Sequence, residues 1–409
     1  MAECNIFEHK KKVLNDGSVD YTDEEAELHA KEVGVDPRPK ETRSEIDERG
    51  AFIRQPNAFI KPFGDKDGDN KADKDRYIVF WSHGCNWSNR PLIARDILGL
   101  EDVIKDKVVG PTGESNKYGW GFPDEKNHQE KYSKAYFLSQ FYKKANPNFT
   151  GRATTPTLAD YKTGEAVNND YHRLSNYIEV QFRKFQPVDA PDIYPVKYRK
   201  EIDELNDWLF PHVNNGHYRL SFCQSWEAYE EAYEDFYDSL EKLDKRLSEN
   251  RFLFGDYVTD SDIRLYVSII RWETRYYPNV GPMKKRVTEY KNLWGYIKDL
   301  YNIPAFRKYA FFEFPKVDDP TLVRAYAARI APKVPYEKIW SIQDPNRKAL
   351  SKDPENVYKK HPVGESVEDY QTEISTTIWN SPSWEDRNPK NGVLSTDASI
   401  NPIKSKLRD

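Results

Sequence analysis

The sequence predicts an α/β domain followed by an all-helical domain, with a charged arm before the first and a long polar extension after the second. Three observations carry this. A short β-rich run, Tyr77-Ile78-Val79-Phe80-Trp81, leads through Ser82-His83-Gly84 to Cys85 and then to a helical segment. A second strand-like run at 154–160 is entered through Pro156. From Tyr198 to about Phe314, apolar residues recur at helical spacing: Ile202, Leu205 and Leu209, then Tyr229, Phe236, Leu240, Leu243 and Leu247.

The chain has 409 residues, too many for one ordinary core, so two domains with appendages are expected. The boundaries read as an arm over 1–50, the α/β domain over 51–186, the helical domain over 196–318 and an extended, partly ordered tail over 331–409. Residues 1–50 are charged and poor in apolar periodicity. The stretch Asp65-Lys66-Asp67-Gly68-Asp69-Asn70 reads as a solvated turn, because a calcium loop would need a glutamate at its twelfth position. Within the α/β domain, a helix is expected at 91–98, closed by Gly99, and a second strand over 103–109. A helix near 132–144, a hairpin partner at 164–167 and a helix over 169–182 follow. Pro187, Pro191 and Pro195 mark a linker. Thr259-Asp260-Ser261-Asp262 resembles a capping box. Beyond 330 the chain is rich in Pro, Ser, Asn and Lys, with Trp340, Trp379 and Trp384 as isolated anchors.

Charge and cysteine usage exclude several classes. With 62 basic and 67 acidic residues the net charge is -5, without the basic excess of a nucleic-acid binder. No run approaches the roughly 18 apolar residues of a membrane span, and Met1-Ala2-Glu3-Cys4-Asn5 lacks the profile of a secretion signal. Cys4, Cys85 and Cys223 are far apart, so neither a disulfide framework nor a metal site is expected, and the chain reads as cytoplasmic.

The chemistry concentrates at Cys85-Asn86-Trp87-Ser88. A thiol at the first turn of a helix faces unpaired backbone N–H groups and the positive end of the dipole, which favour the thiolate. A thiolate attacks disulfides, thioethers and activated carbon. Ser88 stands where a resolving cysteine would, so an external thiol must complete the cycle. In thioredoxin-like domains a cis-proline lies opposite the cysteine, and the preceding residue offers its backbone to a peptide-like ligand. Thr155-Pro156 is expected to be that pair. The turn Asn168-Asn169-Asp170-Tyr171 reads either as an ordinary helix cap or as a holder for the charged end of a ligand. His83 is read as a packing or surface residue, and Cys4 and Cys223 as bystanders.

Taken in order, the strand–Cys85–helix unit, Gly151-Arg152-Ala153-Thr154-Thr155-Pro156 and Val167-Asn168-Asn169 resemble a glutathione transferase. Gly50-Ala51-Phe52-Ile53-Arg54-Gln55, Asp203-Glu204-Leu205-Asn206-Asp207-Trp208-Leu209 and Asn214-Asn215-Gly216-His217-Tyr218 narrow the resemblance to the Xi class, the glutathionyl-hydroquinone reductases. It covers roughly residues 50–315. It implies a thioredoxin-like domain plus a helical bundle, usually dimeric, acting on a small-molecule thiol and an aromatic electrophile. It also implies that the Cys85 thiolate removes glutathione from a glutathionylated hydroquinone, and that a second glutathione regenerates it from the mixed disulfide. Trp87 would then pack beside the thiol, and Thr155 and Pro156 would receive the cysteinyl part of glutathione. Asp170 and Tyr171 would stand at its γ-glutamyl end. Tyr218 and Tyr277 are read either as donors to a phenolic oxygen in the pocket of the helical domain or as core residues with satisfied hydroxyls. The departures are specific. The family's Cys-Pro-Trp-Ala is Cys85-Asn86-Trp87-Ser88, its Glu-Ser is Asp170-Tyr171, and an expected arginine is Ser139. These leave open a transferase, isomerase or lyase using another low-molecular-weight thiol. A non-catalytic binding protein on the same fold, with Trp379 and Trp384 as anchors, is also open.

Overall fold

The computed structural model describes residues 22–37, 45–54, 57–64, 67–112, 116–122, 135–277, 284–310 and 336–371. A helix, α1 (Asp23–Val33), opens it on a capping box between Thr22 and Glu25. Its buried Ala26 and Ala30, one turn apart, pack against Tyr118 and Phe137. Two alanines are too weak a periodic signal to mark this helix in the sequence.

The sheet explains the pattern of the strands. β1 (Tyr77–Trp81) is buried along its whole length, because it runs parallel to β2 (Ile104–Val108) on one side and antiparallel to β3 (Thr157–Asp160) on the other. β4 (Glu165–Asn168) completes the order β2-β1-β3-β4. Side chains of β1 alternate between two cores. Tyr77, Val79 and Trp81 join the main core shared with the helical domain, whereas Ile78 and Phe80 pack with Phe122, Phe141 and Tyr142. β2 is an edge strand, and Lys105 and Lys107 on it discourage further pairing.

α2 (Asn86–Ile97) follows Cys85 directly, five residues earlier than the helix expected from Pro91 onward. It ends before Gly99, which takes a left-handed φ of 64°. α3 (Leu138–Ala145) leads into β3, and α4 (Leu174–Gln181) follows β4. α4 starts later than 169 because the preceding turn bonds to itself. The Asn168 side chain accepts from the Asp170 N–H at 2.9 Å, and Asp170 accepts from the His172 N–H at 3.0 Å. Such local side-chain bonds compete with helix formation.

The helical part consists of α5 (Arg199–Leu209), a π turn (Phe210–Asn214), α6 (Gly216–Phe222), α7 (Trp226–Arg246), α8 (Asp260–Arg271), α9 (Lys291–Tyr301) and α10 (Pro304–Lys308). Asp262 reaches back to the Thr259 N–H at 2.7 Å at the start of α8. The proline-marked stretch is exposed at 187–189 and packed from 190 onward: Ile193 and Tyr194 are buried, and the Ile193 carbonyl accepts from the Asp260 N–H at 2.8 Å.

Residues 336–371 return to the body of the molecule. Trp340, at the end of α11 (Tyr336–Trp340), is buried against Trp294 with ring centroids 4.8 Å apart. Arg347, within α12 (Pro345–Lys348), is buried and donates to the carbonyls of Leu247, Asn250 and Arg251. Trp379 and Trp384 lie outside the described residues. Among the described residues no helix is long and apolar enough to cross a membrane, and no three acidic, histidine or cysteine side chains gather as a metal site.

Candidate active site

Cys85 is the N-cap residue of α2, where β1 delivers the chain to the helix. Ser88 braces this junction. Its hydroxyl donates to the carbonyl of Cys85 at 2.7 Å and lies 3.2 Å from both the N–H and the carbonyl of Ser82. The Cys85 thiol points across to β3 and donates to the carbonyl of Thr155 at 3.3 Å. The Thr155–Pro156 peptide bond is cis.

An aromatic group covers the thiol. Trp87, Tyr171 and Phe210 form a buried cluster against which Cys85 and Tyr218 pack. The Tyr171 and Phe210 rings lie 5.3 and 5.4 Å from the Trp87 ring. The Tyr218 hydroxyl donates to the Asn86 side chain at 2.8 Å. Burial holds its pKa well above the ordinary tyrosine value, so it serves as a proton-bearing donor. The Arg54 guanidinium stands over the same rings, 4.9 Å from that of Trp87 and 4.7 Å from that of Tyr218, with its Nε donating to Asn215 at 3.1 Å.

The Asn168–Tyr171 turn is fixed from three sides. The Asn57 side chain donates to Asp170 at 3.2 Å, and the Phe59 N–H donates to the Asn169 side chain at 2.8 Å. Two buried arginines hold its end: Arg90 of α2 donates to the carbonyl of Tyr171, and Arg264 of α8 donates to that of the following residue, His172, at 2.7 Å. Burial lowers the Arg90 pKa to about 9.

Comparison with known proteins identifies the family. Residues 227–299 match the family described as glutathione S-transferase, C-terminal domain. The glutathionyl-hydroquinone reductase YqjG of Escherichia coli is 36% identical over 245 residues, 59% of this chain and 74% of that protein. The glutathionyl-hydroquinone reductase PcpF of Sphingobium chlorophenolicum is 33% identical, over 60% of this chain and 76% of its own length. Among solved structures, the Xi glutathione transferase of Phanerochaete chrysosporium superposes with a TM-score of 0.60 at 33% identity, covering 65% of this chain and 87% of that one. This chain belongs to the Xi class of glutathione transferases, the glutathionyl-hydroquinone reductases.

Against that family the expected site residues sort as follows. Cys85, Trp87, Thr155, Tyr171 and Tyr218 come together in one contiguous group, with Pro156 and Asp170 directly adjoining it. Tyr277 does not join them. Its ring packs over Arg286 at 4.8 Å, and Tyr276 is the ring beside Tyr218, at 5.4 Å. Ser139 brings no charge to the site, and its hydroxyl is buried without a protein partner. The His83 ring lies tilted against that of Trp81, with centroids 4.6 Å apart, in keeping with a packing role. Cys223 lies at the end of α6, where burial pushes its pKa up, and Cys4 is outside the described residues. Sequence reasoning missed Arg54, Asn215, Phe210 and Tyr276. All but Tyr276 lie in segments already quoted for the resemblance or next to them, but nothing local marks them as joining the rings around Trp87 and Tyr218.

Proposed function

We propose that this Xi-class enzyme removes glutathione from glutathionylated hydroquinones through a mixed disulfide on Cys85. The observation that carries the reading is the position of the Cys85 sulfur: at the opening of α2, 3.3 Å from the Thr155 carbonyl and against the Trp87 cluster. The thiolate attacks the glutathione sulfur, a sulfur–sulfur bond forms and the carbon–sulfur bond breaks. In the keto tautomer the electron pair passes through the ring onto its oxygen, and the proton that the second glutathione releases on becoming a thiolate neutralises it. A second glutathione, as thiolate, attacks the mixed disulfide and leaves as glutathione disulfide, returning Cys85. Thr155 and Pro156 meet the cysteinyl part of glutathione, Asp170 and Tyr171 face its γ-glutamyl end, and Tyr218 faces the aromatic ring. Glutathione-dependent chemistry on a reduced cysteine suits a reducing compartment, so the enzyme acts in the cytoplasm, and the family resemblance makes it a homodimer. Turnover of a glutathionylated hydroquinone by wild type and Cys85→Ala, with intact-mass detection of the mixed disulfide, tests the reading. Loss of both turnover and adduct in the variant is expected; full turnover by Cys85→Ala would end it.

One observation favours a second reading, in which a different small thiol is used. Asp170 already accepts from Asn57 and from the His172 N–H, and the Tyr171 ring packs edge-on against Trp87. Screening thiols for resolution of the Cys85 mixed disulfide separates the two.

A further inference from the structure

The group above Cys85 is rich in donors and poor in acceptors. Arg54 carries a full positive charge into it, yet no carboxylate pairs with this guanidinium among the described residues. Its neighbours are rings: Trp87, Tyr218, Phe52 and Tyr171, all within 5.6 Å. Ring faces attract a cation, but they do not satisfy its N–H groups. Arg54 Nη2 is buried and bonded to nothing. Asn215 shows the same deficit. Its carbonyl oxygen accepts from Arg54 Nε, which fixes the amide orientation, and its Nδ2 is buried without a partner. The indole N–H of Trp87 is a third buried donor without an acceptor. Buried donors are almost always paired, so three in one contact group call for a ligand bearing acceptor oxygen, and the unpaired guanidinium calls for an anion.

The surrounding rings indicate which anion. The Trp87, Tyr218 and Tyr276 rings already meet one another, at 6.0 and 5.4 Å, so a flat aromatic ligand would pack against this ring group and bring its oxygen to Arg54. The step on Cys85 creates such an oxygen. When the carbon bearing sulfur lies next to a ring carbonyl, as in the keto tautomer, breaking the carbon–sulfur bond sends its electron pair onto that oxygen as a phenolate. The thiolate's charge is thus transferred to the leaving group, and a proton from the incoming thiol later neutralises it. We propose that Arg54, held by Asn215, binds this phenolate oxygen and makes the enzyme selective for electron-poor hydroquinones that ionise readily. This rests on the functional reading above and adds the substrate class and the residue that selects it.

The test uses the full chain as wild type, Arg54→Lys and Arg54→Met. Arg54→Gln serves the same comparison should Arg54→Met melt early. Calorimetric titration compares a dichlorophenol, which is phenolate in mildly alkaline buffer, with the corresponding dichloroanisole, which has the same ring and no charge. Wild type is expected to favour the phenolate by roughly tenfold or more, as for a charge-assisted bond. Arg54→Met should abolish that preference and leave anisole affinity within about twofold, and Arg54→Lys should retain part of it. In turnover, kcat/KM for a chlorinated glutathionyl-hydroquinone should fall in Arg54→Met by about tenfold more than for the unsubstituted one. Equal loss of affinity for phenolate and anisole would overturn the proposal, making Arg54 a packing residue. A raised KM for glutathione with an unchanged substrate ratio would also overturn it, assigning Arg54 to a carboxylate of the thiol. Failure of wild type to turn over any glutathionyl-hydroquinone, with the phenolate preference intact, would instead defeat the functional reading and leave the anion site standing.

Discussion

The Tyr171 ring meets the Trp87 indole at 65°, with centroids 5.3 Å apart, and covers the face beside Cys85. A serine at this position, as the family pattern has, would leave that face open. Tyr171→Ser is therefore expected to do two opposite things. Truncating a buried ring costs roughly 3 kcal/mol, so the melting temperature should fall. At the same time the KM for glutathione should drop several-fold, because the γ-glutamyl end gains room and a hydroxyl. Thermal melts and glutathione titrations on one preparation check both. A lower melting temperature with unchanged KM would mean that Tyr171 only fills space.

Asn86 engages the hydroxyl of Tyr218 at 2.8 Å, where the family pattern has a proline without a side-chain acceptor. That bond competes with any phenolic oxygen of the substrate. Asn86→Ala frees the hydroxyl, and kcat/KM for the hydroquinone substrate is expected to rise by about threefold to tenfold, the range of one ordinary hydrogen bond. A double-mutant cycle with Tyr218→Phe checks the assignment. Tyr218→Phe should cost little in the wild-type background and most of the gain in Asn86→Ala. Additive effects would show that the pair is not coupled.

The parts of the site legible in the sequence are those with a local physical signature. A β-rich run entering a helix marks Cys85, and a proline opening a strand marks Thr155-Pro156. Arg54 and Asn215 carry no such mark: they are 161 residues apart and meet only because the Gly50–Arg54 segment lies along α6 and α7. The Gln224 N–H donates to the Gly50 carbonyl at 2.7 Å, and a Cβ on Gly50, at φ 81°, would come within 2.8 Å of Ser225. Tyr276 was missed for Tyr277 for a different reason. A π turn over Trp272–Tyr276 changes which side chains share a helix face, and a 3.6-residue period cannot anticipate that.

Ser88 stands where a second cysteine would make a dithiol, and its work here is structural. Its hydroxyl is within bonding distance of the Ser82 N–H and of the carbonyls of Ser82 and Cys85. Ser88→Ala leaves the Ser82 amide without that acceptor in a buried turn, which costs about 1–3 kcal/mol. The melting temperature should fall, and kcat should fall with it as the Cys85 turn loosens. Ser88→Cys should not restore the bracing bonds, since sulfur is a weak acceptor. A melting temperature unchanged in Ser88→Ala would place the rigidity of the turn elsewhere.

Beneath the site, Glu179 of α4 and Asp260 of α8 are both fully buried and close enough to share a proton, with Arg264 donating to Asp260 at 2.6 Å. Burial and the neighbouring Asp260 charge hold the Glu179 pKa well above the ordinary carboxylate range, while Arg264 holds that of Asp260 below it. In the fold, therefore, Glu179 keeps the proton. The unfolded chain releases that proton near the ordinary glutamate pKa. The stability due to this group is then complete below that pKa and is lost as pH rises through the range up to the folded-state value. Glu179→Gln mimics the protonated form and keeps a donor for Asp260, so this loss should vanish. The variant should melt progressively higher than wild type as pH rises from acidic toward neutral, and the two should converge in acid. Calorimetric melts across that range decide the matter: a difference that does not change with pH would mean that Glu179 is ionised in the folded protein.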